Sequence, residues 1–153
     1  MEGLSNVYIH SIMKQFAKLY VGIYSSDNIP IFRLPNFTLV SNLSEFGKKG
    51  SHFICIHKTP TKIFYFDPSG EKCVSWNLLA YLQLYNLPIV ELTYKLQNTF
   101  SYFCGFYCIA FCLSREINMR HKTFFSLFSD NLLLNEKICI MFIQEYIRQI
   151  KSY

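Results

Sequence analysis

Ser51-His52-Phe53-Ile54-Cys55-Ile56-His57-Lys58-Thr59-Pro60-Thr61-Lys62-Ile63-Phe64-Tyr65-Phe66-Asp67-Pro68-Ser69-Gly70 holds two apolar runs on either side of a proline-bearing turn. Both runs are rich in β-branched and aromatic residues, which fit a pleated, half-buried surface. Asp67-Pro68-Ser69-Gly70 then closes the segment with a strong turn signal. The reading is a β-hairpin of strands 52–58 and 62–67. A four-residue loop at 58–61 pairs His57 with Lys62 and, further along, His52 with Asp67. Directly opposed residues share a face of the sheet, with Cβ atoms about 4.5–5.5 Å apart. An imidazole and a carboxylate therefore meet at the open end of the hairpin. The carboxylate can take the proton of one ring nitrogen, fix the tautomer and leave the other nitrogen as a base.

Outward from the hairpin, Ser5 or Asn6 is placed to cap a first helix reaching about Leu19, with Val7, Ile12, Phe16 and Leu19 near helical spacing. Residues 20–35 carry Gly22, Asp27, Pro30 and Pro35 and read as loop-rich. A strand is expected at 37–43 and a loop at 44–51. Downstream, 74–85 reads as a helix and 89–96 as a strand opened by Pro88. An apolar helix follows at 104–118, then helices at 123–129 and 135–150. Neither repeats nor a linker divide residues 1–153. The expected fold is one α+β domain, a small, mostly antiparallel sheet packed on helices.

The chain has 153 residues, 51% of them hydrophobic and 16% charged. That balance excludes a disordered tail or a charged coiled coil. The longest nearly unbroken apolar run, 102–113, falls short of the ~20 residues that a bilayer span needs. The start, MEGLSNVYIH, has no basic segment leading into an apolar one, so no secretory leader and an intracellular setting are expected. The net charge of +5 is mild, with small basic concentrations at Lys48-Lys49 and at Arg115, Arg120 and Lys122. Such charge keeps a small domain soluble. The six cysteines are an even number, which in a secreted protein would suggest disulfides. In a reducing compartment cysteines are buried, catalytic or metal-binding.

One of them stands out. Cys104-Gly105 sits where a loop becomes the apolar helix, and the positive end of a helix macrodipole favours thiolate over thiol. Gly105 leaves the surroundings uncrowded. Gln97, on the incoming loop, can aim its side-chain NH₂ at the same spot. With the backbone N–H of Cys104 it would form an oxyanion hole for acyl transfer.

The order His52, Asp67, Gln97, Cys104 resembles that of adenain-type cysteine proteases, the maturation enzymes of adenoviruses, and more distantly that of SUMO-processing proteases. The matching stretches are Ser51-His52-Phe53, Tyr65-Phe66-Asp67-Pro68-Ser69-Gly70, Gln97 and Cys104-Gly105-Phe106-Tyr107-Cys108. Asn42, ten positions before His52, and Tyr20-Val21-Gly22-Ile23-Tyr24 also agree with adenain, as does the seven-residue spacing from Gln97 to Cys104. The resemblance spans about 14–113. It implies an adenain-like fold with the catalytic cysteine opening a buried central helix. It implies a nucleophile at Cys104, a general base at His52, an orienting acid at Asp67 and an oxyanion donor at Gln97. The substrates implied are precursor proteins with glycine at the cleaved bond, in a virus or a virus-like transposon. A viral protease of this kind would act in the host nucleus and virion.

Two departures are mild: Phe53 stands where the wider family often has Trp, and Asp67 where adenain has Glu. A third matters more. Adenain is stimulated by a peptide disulfide-linked to a cysteine shortly before the Gln, and residues 74–103 contain no cysteine. Activation by a peptide or by DNA is thus implied by resemblance alone, and the chemistry itself requires no cofactor. The other function classes are an isopeptidase removing ubiquitin-like modifiers and a non-catalytic DNA- or protein-interaction domain on the same fold.

Cys104, Cys108 and Cys112 recur down one stripe of a helix without a CxxC or HxxxH partner, so no metal site is expected. Cys108, Cys112, Cys55 and Cys139 read as core, and Cys73 as exposed. His57 is expected to point away from the site, and His10 and His121 read as surface or boundary residues.

Overall fold

The apolar run beginning at Cys104 becomes a helix sealed inside the protein: all residues from 107 to 115 are buried. A computed structural model describes residues 5–43, 52–98 and 102–152. In chain order the elements are α1 (Asn6–Phe16), β1 (Tyr20–Ser25), β2 (Phe37–Asn42), β3 (Phe53–Lys58), β4 (Ile63–Phe66), α2 (Trp76–Gln83), β5 (Ile89–Leu92), α3 (Cys104–Glu116), α4 (His121–Ser126) and α5 (Leu132–Lys151). The five strands lie side by side in sequence order. β2, β3 and β4 are antiparallel, while β1 and β5 add to the edges in parallel. The α+β class with a small sheet on helices is thus as expected.

Strand alternation splits the core into two layers. Ile54, Ile56 and Tyr65 face one way and pack with Leu78, Tyr81 and Leu82 of α2. Phe53, Cys55 and Phe66 face the other way and pack with α3, which is in turn covered by Met13 of α1, Phe124 and Phe125 of α4, and Cys139 and Ile143 of α5. α3 can be apolar nearly all round because it is enclosed on every side. The exposed helices start on side-chain caps: Ser5 accepts from the Tyr8 N–H, Ser75 from Leu78 and Asn131 from Leu134.

Three expectations are corrected. The hairpin register is two residues from the one expected: Lys58 pairs with Ile63 and Cys55 with Phe66. The turn tightens because the Thr59 N–H donates to the Lys62 carbonyl while Thr59 Oγ1 accepts from the N–H groups of Thr61 and Lys62. Second, residues 20–25 form strand β1 rather than loop. Gly22 sits at φ 150°, with the Tyr24 ring against it where a Cβ would stand, which removes the alternation that marks a strand. Third, Cys73 is buried beside Tyr65 and α2. The expected loop at 44–51 lies outside the described residues.

Candidate active site

A two-residue register shift preserves the face on which a side chain lies. His52, immediately before β3, and Asp67, immediately after β4, therefore still meet. His52 Nε2 donates to Asp67 Oδ1 at 2.7 Å. Ser69, which the sequence reading passed over, donates to the same oxygen twice, from its N–H at 2.8 Å and its Oγ at 2.6 Å. Its position two residues after an aspartate in a turn is the signal that marks it, since Asp side chains habitually bond the backbone two residues on. Three donors on one carboxylate oxygen hold the charged form.

Cys104 opens α3 beneath this pair, 6% exposed. The Phe53 N–H points at its Sγ at 3.5 Å, a weak contact by which β3 fixes the sulfur. His52 is also within hydrogen-bonding reach of Cys104. Because Nε2 is committed to Asp67, Nδ1 is the nitrogen left for the thiol. Burial opposes charge on His52, but its hydrogen bonds to Asp67 and Cys104, with the negative charge of both partners, outweigh it and lift its pKa to about 9. For Asp67 burial acts upward. The hydrogen bond and charge of His52 and the donors of Ser69 outweigh that and hold the carboxyl below its ordinary value. The pair thus favours an ionised Asp67 beside a protonated His52.

Gln97 is placed by the same turn that carries the acid. The Pro68 carbonyl accepts from the N–H groups of Leu96 (2.8 Å) and Gln97 (3.1 Å). The Gln97 side chain is 1% exposed, and neither its Nε2 nor its Oε1 has a hydrogen-bond partner among the described residues. A buried, unpartnered amide is costly unless a ligand satisfies it. Phe103 offers no side-chain cap to α3, and a helix start is where backbone N–H groups lack intrahelical partners. His52, Asp67 and Cys104 are brought into contact. Gln97 is held to their turn through the backbone, and its side chain bonds to none of them.

Cys55, Cys108, Cys112 and Cys139 are fully buried, as expected of core residues. Cys55 Sγ lies 3.6 Å from Cys112 Sγ, both as free thiols. Among the described residues no cluster of three or more His, Cys, Asp or Glu is arranged to hold a metal, and no helix is long and apolar enough to cross a membrane.

The arrangement of the sheet around a buried central helix is a fold found in solved proteases. Two solved structures carry that likeness. The ASFV pS273R protease matches 90% of this chain and 67% of its own, with TM-score 0.63 and 13% identity. The SUMO protease Ulp1, in a form with its catalytic cysteine oxidised to a sulfinic acid, matches 94% of this chain and 78% of its own, with TM-score 0.53 and 16% identity. No protein-family model and no curated protein matches the sequence.

Proposed function

We propose that this protein is a cysteine endopeptidase that cleaves precursor proteins at glycine-containing sites, in the maturation of a virus or virus-like transposon. The observation that carries the reading is the run of contacts from Asp67 through His52 to Cys104, with Gln97 tied by its backbone to the turn that follows Asp67. In this scheme the proton shared by Cys104 and His52 rests on His52 Nδ1, and the thiolate of that ion pair attacks the scissile carbonyl carbon. The carbonyl π pair moves onto oxygen, which accepts hydrogen bonds from the Cys104 N–H and the Gln97 side-chain NH₂. As the C–N bond breaks, His52 gives its proton to the leaving amine. It then deprotonates the water that hydrolyses the thioester, releasing the acid and restoring Cys104. Asp67 keeps the ring oriented and its positive charge compensated throughout.

The low exposure of Cys104, 6%, supports glycine at the cleaved bond, since residues without a side chain bring their carbonyl closest to a recessed sulfur. The likeness to the ASFV protease and the adenain resemblance support the viral role. The likeness to Ulp1 favours a second reading, an isopeptidase acting on ubiquitin-like modifiers. The test is cleavage of a fluorogenic peptide ending in Gly-Gly against cleavage of a ubiquitin-like fusion, by wild type and Cys104→Ala, with and without DNA and candidate peptides. Turnover of the peptide by wild type alone is expected. Preference for the fusion replaces the first reading with the second, and equal inactivity of both proteins on every substrate overturns both.

A further inference from the structure

The stripe of α5 that enters the core is Asn135, Cys139, Ile143 and Tyr146, and it opens on an amide. Asn135 is fully buried, and an asparagine within a helix costs stability unless its amide is used elsewhere. Here the whole amide is used. Oδ1 accepts from the Ser129 N–H at 2.8 Å, while Nδ2 donates to the Ser129 carbonyl at 2.8 Å and to the Leu96 carbonyl at 3.1 Å. A backbone N–H can only donate, so the amide oxygen faces Ser129 N and the two amide protons are left for the two carbonyls. The bonds to Ser129 close the turn between α4 and α5. The bond to Leu96 is of another kind, since it crosses 39 positions of sequence to the segment that leads into the candidate active site.

That bond acts on a single peptide unit. The Leu96 carbonyl and the Gln97 N–H belong to the same planar group. Asn135 holds the carbonyl, and the Pro68 carbonyl accepts from the N–H at 3.1 Å. The plane is thereby pinned at both polar ends, on one side by the turn that carries Asp67 and on the other by α5. Pinning both ends resists rotation of the plane. It sets ψ of Leu96 and φ of Gln97, and with them the direction in which the Gln97 side chain leaves the backbone. The Leu96 side chain, 3% exposed and packed with the α3 core, adds a third anchor. We propose that Asn135 is the positioning residue for Gln97, the means by which α5 aims the oxyanion donor. It acts through the 96–97 peptide rather than on the reacting atoms. Its role there rests on the proposed protease reading, in which the Gln97 NH₂ meets the oxyanion.

The test compares wild type with Asn135→Ala, Gln97→Ala and the double variant. Steady-state hydrolysis is followed on whichever of the two substrates wild type turns over, and amide hydrogen exchange of the full chain is followed by NMR. Asn135→Ala leaves the Leu96 carbonyl unheld, so the plane can pivot on its remaining bond. The Gln97 N–H is expected to exchange roughly tenfold faster relative to the core amides of α3. A fall in kcat of about 10–10²-fold is expected with it, KM being little changed. In the Gln97→Ala background the same substitution is expected to cost no further kcat, which a residue acting only on stability would not show. Asn135→Ser, a milder truncation that leaves a hydroxyl beside the Ser129 turn, serves where Asn135→Ala does not fold. Losses that multiply in the double variant, an unchanged kcat in the single one, or unchanged exchange at Gln97 overturn the proposal. Exchange needs no activity, so the two readings fail separately. An inactive wild type with faster Gln97 exchange in the variant removes the protease reading and leaves Asn135 holding the peptide. An active wild type with unchanged exchange does the reverse.

Discussion

His52 Nε2 donates to Asp67 Oδ1 at 2.7 Å although the strand register sets His52 opposite Ser69. The contact is a diagonal one, reached because the chain leaves β4 at Phe66 and the Asp67-Pro68-Ser69-Gly70 turn brings the carboxylate back across the hairpin. Ser69 then anchors the carboxylate through its own N–H and hydroxyl. Asp67→Asn keeps an oxygen able to accept from His52 and Ser69 but removes the charge. We expect hydrolysis to fall roughly 10²–10⁴-fold, and the alkaline limb of the pH–rate profile to move from about 9 toward the ordinary histidine value. An unchanged limb in steady-state assays would show that Asp67 does not set the charge on His52.

Stability should depend on pH in two windows. His52 binds its proton more tightly in the folded protein than in the unfolded one, where its pKa is about 6.5. Its contribution is fully present below that value and lost as pH rises through about 9. Asp67, held low, contributes above its unfolded value near 3.9 and loses that contribution as pH falls through its depressed folded pKa. His57 and His121, held to about 3 and about 4 by burial and Arg115, resist protonation in the fold. They destabilise it as pH falls below about 6.5. Urea denaturation across pH should therefore show greatest stability near pH 6–7. Stability should decline on the alkaline side by at most about 1.4 kcal/mol per pH unit for the one proton involved. The alkaline decline should shrink in Asp67→Asn.

Gln97→Ala separates binding of the oxyanion from the rest of the site. The side chain is buried and its amide bonds to nothing, so its removal sacrifices no internal hydrogen bond. A kcat loss of about 10²–10³-fold is expected, with KM and melting temperature little changed. A large fall in melting temperature with kcat preserved would make Gln97 a packing residue instead.

How much of this was legible before the structure depends on the distance over which each signal acts. α3 was readable because a run that is apolar on every face has nowhere to go but the interior, and it starts at Cys104 as expected. The meeting of His52 and Asp67 was readable because side-chain parity survives a two-residue error in register. The register itself was not, because it turns on Thr59 folding its hydroxyl back onto the Thr61 and Lys62 amides. β1 escaped because only Gly22 within it is buried and no alternation results; its pairing with β2 is parallel and spans the intervening loop. Ser69 and the orphaned Gln97 amide depend on the folded turn. The bond from Asn135 to Leu96 joins α5 to the loop before α3, and no spacing along the chain announces it.

The same turn that delivers Asp67 also positions Gln97, and Gly70 is the residue on which both depend. Gly70 adopts φ +79°, a conformation that side chains disfavour, and an added Cβ would stand 3.0 Å from the backbone N and Cα of Lys95. Its N–H closes the turn onto the Asp67 carbonyl at 2.9 Å, while Pro68 holds Leu96 and Gln97 from the other side. Gly70→Ala therefore strains the turn and pushes the 95–97 segment away from it. A loss of about 1–3 kcal/mol in unfolding free energy is expected, from backbone strain and the displaced contact together. Activity should fall more than in either Asp67→Asn or Gln97→Ala alone, because one substitution moves the acid and the oxyanion donor at once. If chemical denaturation shows the cost but peptide hydrolysis by the folded fraction is unchanged, the turn is only a structural brace and the two residues are positioned independently.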